Sequence, residues 1–128
     1  MSLKVATVAL LVDDYDRAIA FYRDVLGLDL VADTSLGGGK RWVALSGAGG
    51  ARLLLAKADG ERQAEAIGNQ AGGRVGFFLE TDDFASDHAR LLAAGVTFLE
   101  APRHEAYGSV AVFEDIFGNK WDLIEPKS

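Results

Sequence analysis

Two pairs of adjacent aspartates, Asp13-Asp14 and Asp82-Asp83, are the first residues in this chain whose types could do chemistry. Paired carboxylates can divide general acid and general base work when their surroundings push their pKa values apart. Each pair here follows an apolar run and directly precedes a helical one. At that position an aspartate accepts from the unpaired N–H groups of the first turn and favours the positive helix end. Asp14 and Asp83 are therefore read as helix N-caps. Ser86-Asp87-His88 holds the residue types of a nucleophilic triad, but consecutive helical residues point in different directions and cannot converge. Gly37-Gly38-Gly39-Lys40 lacks the spacing and the Ser/Thr of a phosphate loop and reads as a connection between strands. There is no cysteine, which excludes disulfides, thiolate metal sites and cysteine nucleophiles.

The elements that must position any site appear twice. Val5 to Val12 reads as a buried strand, and Tyr15 to Leu26 as a helix with Ala18, Ile19, Tyr22, Val25 and Leu26 at helical spacing. Gly27 ends that helix and Leu28 to Ala32 is the next strand. The order returns as strand Val75 to Thr81, helix Phe84 to Ala94, stop Gly95 and strand Val96 to Leu99. Asp14-Tyr15 matches Asp83-Phe84 and Gly27-Leu28 matches Gly95-Val96, with one residue of slack. Each half closes on a hairpin, Arg41–Leu45 with Arg52–Ala56 and Ser109–Phe113 with Lys120–Ile124. Such internal repetition predicts an α+β fold of two tandem βαβββ units. Repeat one spans about 3–57, a polar segment 58–73 joins the halves, and repeat two spans about 74–126. Gln63 to Ile67 reads as a short helix, and the segment suits a flap over a pocket or a passive linker equally well.

At 128 residues the chain is long enough to bury a core as one domain, and its 49% hydrophobic and 25% charged content is ordinary for globular proteins. A net charge of −6 with scattered Lys and Arg argues against nucleic acid as a partner. No run approaches the roughly 18 apolar residues of a membrane span. Met1 to Val12 lacks the features of a signal peptide, so a cytoplasmic protein with no membrane partner is expected.

The stretch "VALLVDDYDRAIAFYRDVLGLDLV" and the closing run "VAVFEDIFGNKWDLIEP" resemble the vicinal oxygen chelate superfamily, the glyoxalase/bleomycin-resistance/extradiol-dioxygenase group. The resemblance spans nearly the whole chain. It implies a curved eight-stranded cup with helices outside, and a homodimer. Metalloenzyme members bind a divalent ion through four strand residues, and other members bind a ligand without metal. The four ligand positions fall on Thr7, Leu54, Gly76 and Asp122. Asp122 alone is a good ligand, whereas a tight site needs about three or four. His88, within a helix, and His104, in a loop, do not restore the set. The expectation is no metal and no cofactor.

Strand alternation aims Val5, Thr7, Ala9 and Leu11 into the cup and Val8, Leu10 and Val12 towards the helices. Phe78 shares the inward face with Gly76 and Glu80. Trp121, beside Asp122, should face the helices as core, whereas Trp42 suits core or a stacking platform equally. Gln70 and Arg74, and the loop Arg103 to Tyr107, correspond to the rim, where Arg74 would pair an anionic group. The turn Asp115-Ile116-Phe117-Gly118 replaces the usual Asp-Pro-Asp-Gly and places two apolar residues at a possible dimer contact. The predicted role is to bind a small organic ligand through Thr7, Trp42, Leu54, Gln70, Arg74, Gly76, Phe78, Tyr107 and Asp122. The alternative is a lyase, isomerase or dioxygenase with a remodelled metal site or with Asp122 or Glu80 as general base.

Overall fold

Asp14 and Asp83 cap their helices as their position requires: the Asp14 carboxylate accepts from Arg17 N at 2.9 Å and that of Asp83 from Ser86 N at 3.2 Å. The computed structural model describes residues 2–127. The chain divides into two compact units at Ile67/Gly68. The first unit holds β1 (Thr7–Val12), α1 (Tyr15–Ile19), β2 (Asp29–Gly37), β3 (Lys40–Ser46), β4 (Arg52–Lys57) and α2 (Glu61–Ala66). The second holds β5 (Val75–Glu80), α3 (Phe84–Ala93), β6 (Thr97–Phe98), β7 (Arg103–Glu105), β8 (Gly108–Glu114) and β9 (Lys120–Pro126).

The two sheets repeat one topology. The first runs β1-β4-β3-β2 and the second β5-β9-β8-β6, with β7 also paired to β8. In each, the first strand lies parallel to the last and the other pairs are antiparallel. The expected eight strands are nine, because the outer strand of the second sheet is broken. Pro102, which has no N–H to give a ladder, precedes β7. Arg103–Glu105, read from sequence as loop, is strand β7, and His104 lies in it with its Nδ1 2.9 Å from the Ser109 hydroxyl.

The first helix also departs from a single α-helix. Beyond Ile19 it continues as a π turn over Ala20–Val25, with Leu26 N donating to Phe21 O. A π turn accommodates an extra residue within a helix. It takes up the one residue by which this repeat exceeds the second between cap and stop.

One face of each sheet is buried by its helices. In the first unit Leu10, Val12, Val43, Leu45, Leu53 and Leu55 pack with Tyr15, Ala18, Ile19 and Tyr22, all buried. In the second, Phe113 and Trp121 are buried, and Trp121 stacks on Phe77 at 4.8 Å. The reading of Trp121 as core therefore agrees with the geometry. His88 on α3 lies between Phe84 and Phe98, with centroids 5.5 and 4.5 Å away. Among the described residues no helix is long and apolar enough to cross a membrane.

Candidate functional site

The opposite face of each sheet carries no helix of its own unit; alternation decides which residues it holds, and while Ala44 and Val110 on it are buried, others stand exposed. On the first sheet Ala9, Leu54, Ala44 and Ala32 stand in register across β1, β4, β3 and β2. Thr7 and Leu11 flank this row on β1, and Trp42 flanks it on β3. Thr7 and Leu54 are half-buried, while Trp42 is 45% exposed. Trp42 thus takes the open face, so of its two sequence readings core is excluded within this unit.

On the second sheet Phe78, Asp122 and Val112 stand in register across β5, β9 and β8. Phe78 is 60% exposed despite lying in mid-strand. Glu80 follows it on the same face, opposite Ile124. Burial pushes the Asp122 carboxyl above its ordinary range, assisted by the Glu100 charge and opposed by the Arg103 guanidinium. The Asp122 carboxylate accepts no hydrogen bond from the described residues.

Beside this row lies a polar clamp built where the outer strand breaks. Leu99 N donates to Val112 O at 2.8 Å, and the Glu100 carboxylate then accepts from Val112 N at 2.9 Å. A side chain thus stands in for the missing strand carbonyl. Arg103 Nε and Nη2 donate to the two oxygens of Glu100 at 2.8 and 3.2 Å, a bidentate pair. Its Nη1 reaches Glu105 at 3.4 Å and the Tyr107 hydroxyl at 3.5 Å. The guanidinium and the backbone bond together hold the Glu100 carboxyl below its ordinary range. Sequence reasoning named Arg103 and Tyr107 but missed Glu100. Its partner is 12 residues away, across a strand break that a single sequence does not mark.

Gln70 and Arg74 lie apart from this group. Both are exposed in the segment before β5, and Arg74 Nε donates to Val75 O at 3.1 Å. Arg74 and Lys120 line a shallow pocket with Asn69, Ala71 and Phe77, the last on the opposite face of the sheet from Phe78. Lys120 Nζ donates to Gly73 O at 2.9 Å. Gly68, at φ +75°, has no room for a Cβ against the Phe117 carbonyl, which fixes where the segment meets the β8–β9 turn. Ile116 in that turn is exposed and Phe117 half-buried.

The four positions that the resemblance assigns to metal ligands do not fit a metal. Asp122 offers a carboxylate and Thr7 a neutral hydroxyl, while Leu54 and Gly76 offer no side-chain donor. At Gly76 there is also no space: a Cβ there would lie 2.6 Å from the Ala71 methyl. The segment before β5 has folded onto the place where a ligand side chain would begin. Among the described residues no three His, Asp or Glu side chains gather as a metal cluster.

Comparison with known proteins agrees with the fold. The family model for the Glyoxalase/Bleomycin resistance protein/Dioxygenase superfamily matches residues 4–123. A protein of Shewanella frigidimarina (strain NCIMB 400) is 48% identical over 98% of this chain and 95% of its own. TnmS3, an antibiotic binding protein from Streptomyces sp. CB03234, is 30% identical, with a TM-score of 0.79 over 99% of each chain. A superfamily member from Sphaerobacter thermophilus DSM 20745 is 25% identical, with a TM-score of 0.74 over 97% of this chain and 98% of its own.

Proposed function

Because this chain belongs to the glyoxalase/bleomycin resistance protein/dioxygenase superfamily, we propose that it binds a small organic ligand on its open sheet faces, without the superfamily's metal. One observation carries the reading: Trp42 and Phe78 are large aromatics held out from mid-strand, on faces that no helix of their own unit covers. A folded chain gains nothing from exposing such side chains, whereas an apolar ligand gains about 1.5–3 kcal/mol from burying one. The incomplete donor set favours binding without metal, and the likeness to an antibiotic binding protein favours a small-molecule ligand. In this reading Thr7, Trp42 and Leu54 supply the contacts on the first sheet and Phe78, Tyr107 and Asp122 those on the second, with Gln70, Arg74 and Gly76 at the margin of the second. A homodimer belongs to the same proposal, since Val8, Val31, Leu36 and Ile116 are further exposed apolar side chains that a second copy would cover. The cellular setting proposed is the cytoplasm, where a cysteine-free chain is at no disadvantage.

The raised Asp122 carboxyl favours a second reading, an enzyme with a remodelled metal site, or with Asp122 or Glu80 as a general base whose turnover Asp122→Asn would abolish. The two readings separate on metal content and calorimetric titration with Zn²⁺, Ni²⁺, Mn²⁺ and anaerobic Fe²⁺, joined to titration with the neutral dye Nile red. Saturable dye uptake by metal-free protein, weakened about tenfold or more by Phe78→Ala, is the expected result. One tightly bound ion per chain, lost in Asp122→Ala, would overturn the metal-free reading. No saturable uptake, or uptake indifferent to both Phe78→Ala and Trp42→Ala, would overturn ligand binding on these faces.

A further inference from the structure

We infer that the ligand is an apolar or aromatic molecule carrying a protonated nitrogen, seated with its cation on Asp122 and its apolar body on Phe78. This deepens the ligand-binding reading above and rests on it. The charged groups on the open face of the second sheet are not equally free to meet a ligand. Arg103, which lies opposite Val110 on that face, is the group an anion would seek. Its nitrogens are already engaged by Glu100, Glu105 and Tyr107.

To turn Arg103 towards an anion would uncouple it from Glu100, and Glu100 is what satisfies Val112 N. That exchange replaces a made charge-assisted pair with another and leaves a backbone donor at risk. Lys120, further along β9, is bonded to Gly73 O. Asp122 stands in the opposite condition: desolvated and without a hydrogen bond from the described residues, it gains from any donor a ligand brings.

Of the charges that reach Asp122, the Arg103 guanidinium acts more strongly than the Glu100 carboxylate, but it is already held in pairs with Glu100 and Glu105. What favours a cation here is the unbonded carboxylate itself and the ring beside it. Phe78 stands directly beside Asp122 in register, and Tyr107, 55% exposed, holds its hydroxyl on Arg103. An aromatic face next to a carboxylate suits an organic cation twice over, through Coulomb attraction and through the ring quadrupole.

The test uses three naphthalenes of matched shape: 1-naphthylmethylammonium, neutral 1-naphthylmethanol and anionic 1-naphthylacetate. Each is titrated at neutral pH into isotopically labelled full-length protein and followed by ¹H–¹⁵N correlation spectra. The expected result is affinity for the ammonium at least tenfold above that for the acetate, with shifts centred on Phe78, Val112 and Asp122. In Asp122→Asn the ratio of ammonium to methanol affinity collapses towards one. A second measurement needs no variant: added salt should weaken the ammonium and leave the methanol unmoved. Equal or inverted charge preference, or a preference that survives Asp122→Asn, would overturn the cation inference while leaving ligand binding intact. Failure of all three to shift open-face residues would overturn the ligand reading and this inference with it.

Discussion

The outer strand of the first sheet runs for nine residues, Asp29–Gly37, with register shifts at Val31 and Leu36 but no gap, while its counterpart in the second sheet is interrupted between Phe98 and Arg103. From one topology the two repeats therefore obtain different open faces. Where β2 has no gap, the middle of the open face is an apolar row, Ala9, Leu54, Ala44 and Ala32, with Arg52 beside Thr7 at its edge. Where β6 gives way to β7, Val112 N is left over, Glu100 takes it, and Arg103 follows Glu100. A gap in a sheet is thus a means of installing charge beside an apolar row. The two repeats share a topology and a buried helix-side face, while their outer strands set what each open face can do.

If that contrast is right, the cores should respond alike and strongly. Phe113→Ala and Leu55→Ala, both at fully buried positions, should each cost about 3–5 and 2–5 kcal/mol respectively in urea melts. Trp42→Ala, on the open face, should cost under about 1 kcal/mol. A loss for Trp42→Ala as large as those two would break the distinction between covered and open faces. The outer strands sharpen it next. Glu100→Ala should cost about 2 kcal/mol, the worth of a hydrogen bond to a charged group, and Thr34→Ala on the unbroken strand within about 0.5 kcal/mol. Backbone amide exchange at Val112 checks the cause, since it should quicken in Glu100→Ala and stay slow in Thr34→Ala.

The smallest effect concerns pH. The Asp122 carboxyl is raised in the folded chain, so in the interval above the ordinary value of 3.8 the folded state keeps a proton that the unfolded state releases. Stability contributed by this group therefore falls as pH rises through that interval. Glu100, lowered by Arg103, acts in the other sense: its contribution is present above the ordinary value and lost as pH falls through the lowered one. Subtracting the stability profile of Asp122→Asn from that of the native chain should leave a difference that declines with rising pH. A difference that climbs would reverse the assignment of Asp122 as a desolvated carboxylate.

Much of the fold was legible because it rests on local signals: two cap-to-stop helices, two hairpins and the alternation that sends Trp121 towards the helices and Asp122 to the other face. The helix caps needed no tertiary knowledge, since Asp14 and Asp83 bond within three residues. The three-residue strand β7 was not legible, because Arg-His-Glu carries no apolar alternation and owes its extension to β8 alone. The site was legible in part. Alternation aimed Phe78 and Asp122 to one face, but nothing in a single sequence distinguishes Glu100 from any exposed glutamate. The reason for glycine at position 76 was hidden for the same cause, since Ala71 reaches it by a fold of the chain rather than by spacing.

The π turn at Ala20–Val25 bears on the history of the chain as well as on its geometry. It is a splice point: one codon more or less is absorbed by a widened helical turn, and the strands on either side keep their register. Two copies of an ancestral unit could drift in length there without either sheet turning its apolar face outward. A designer recombining halves of this fold should accordingly place gaps within the helices and leave the strand-bounding turns at fixed length.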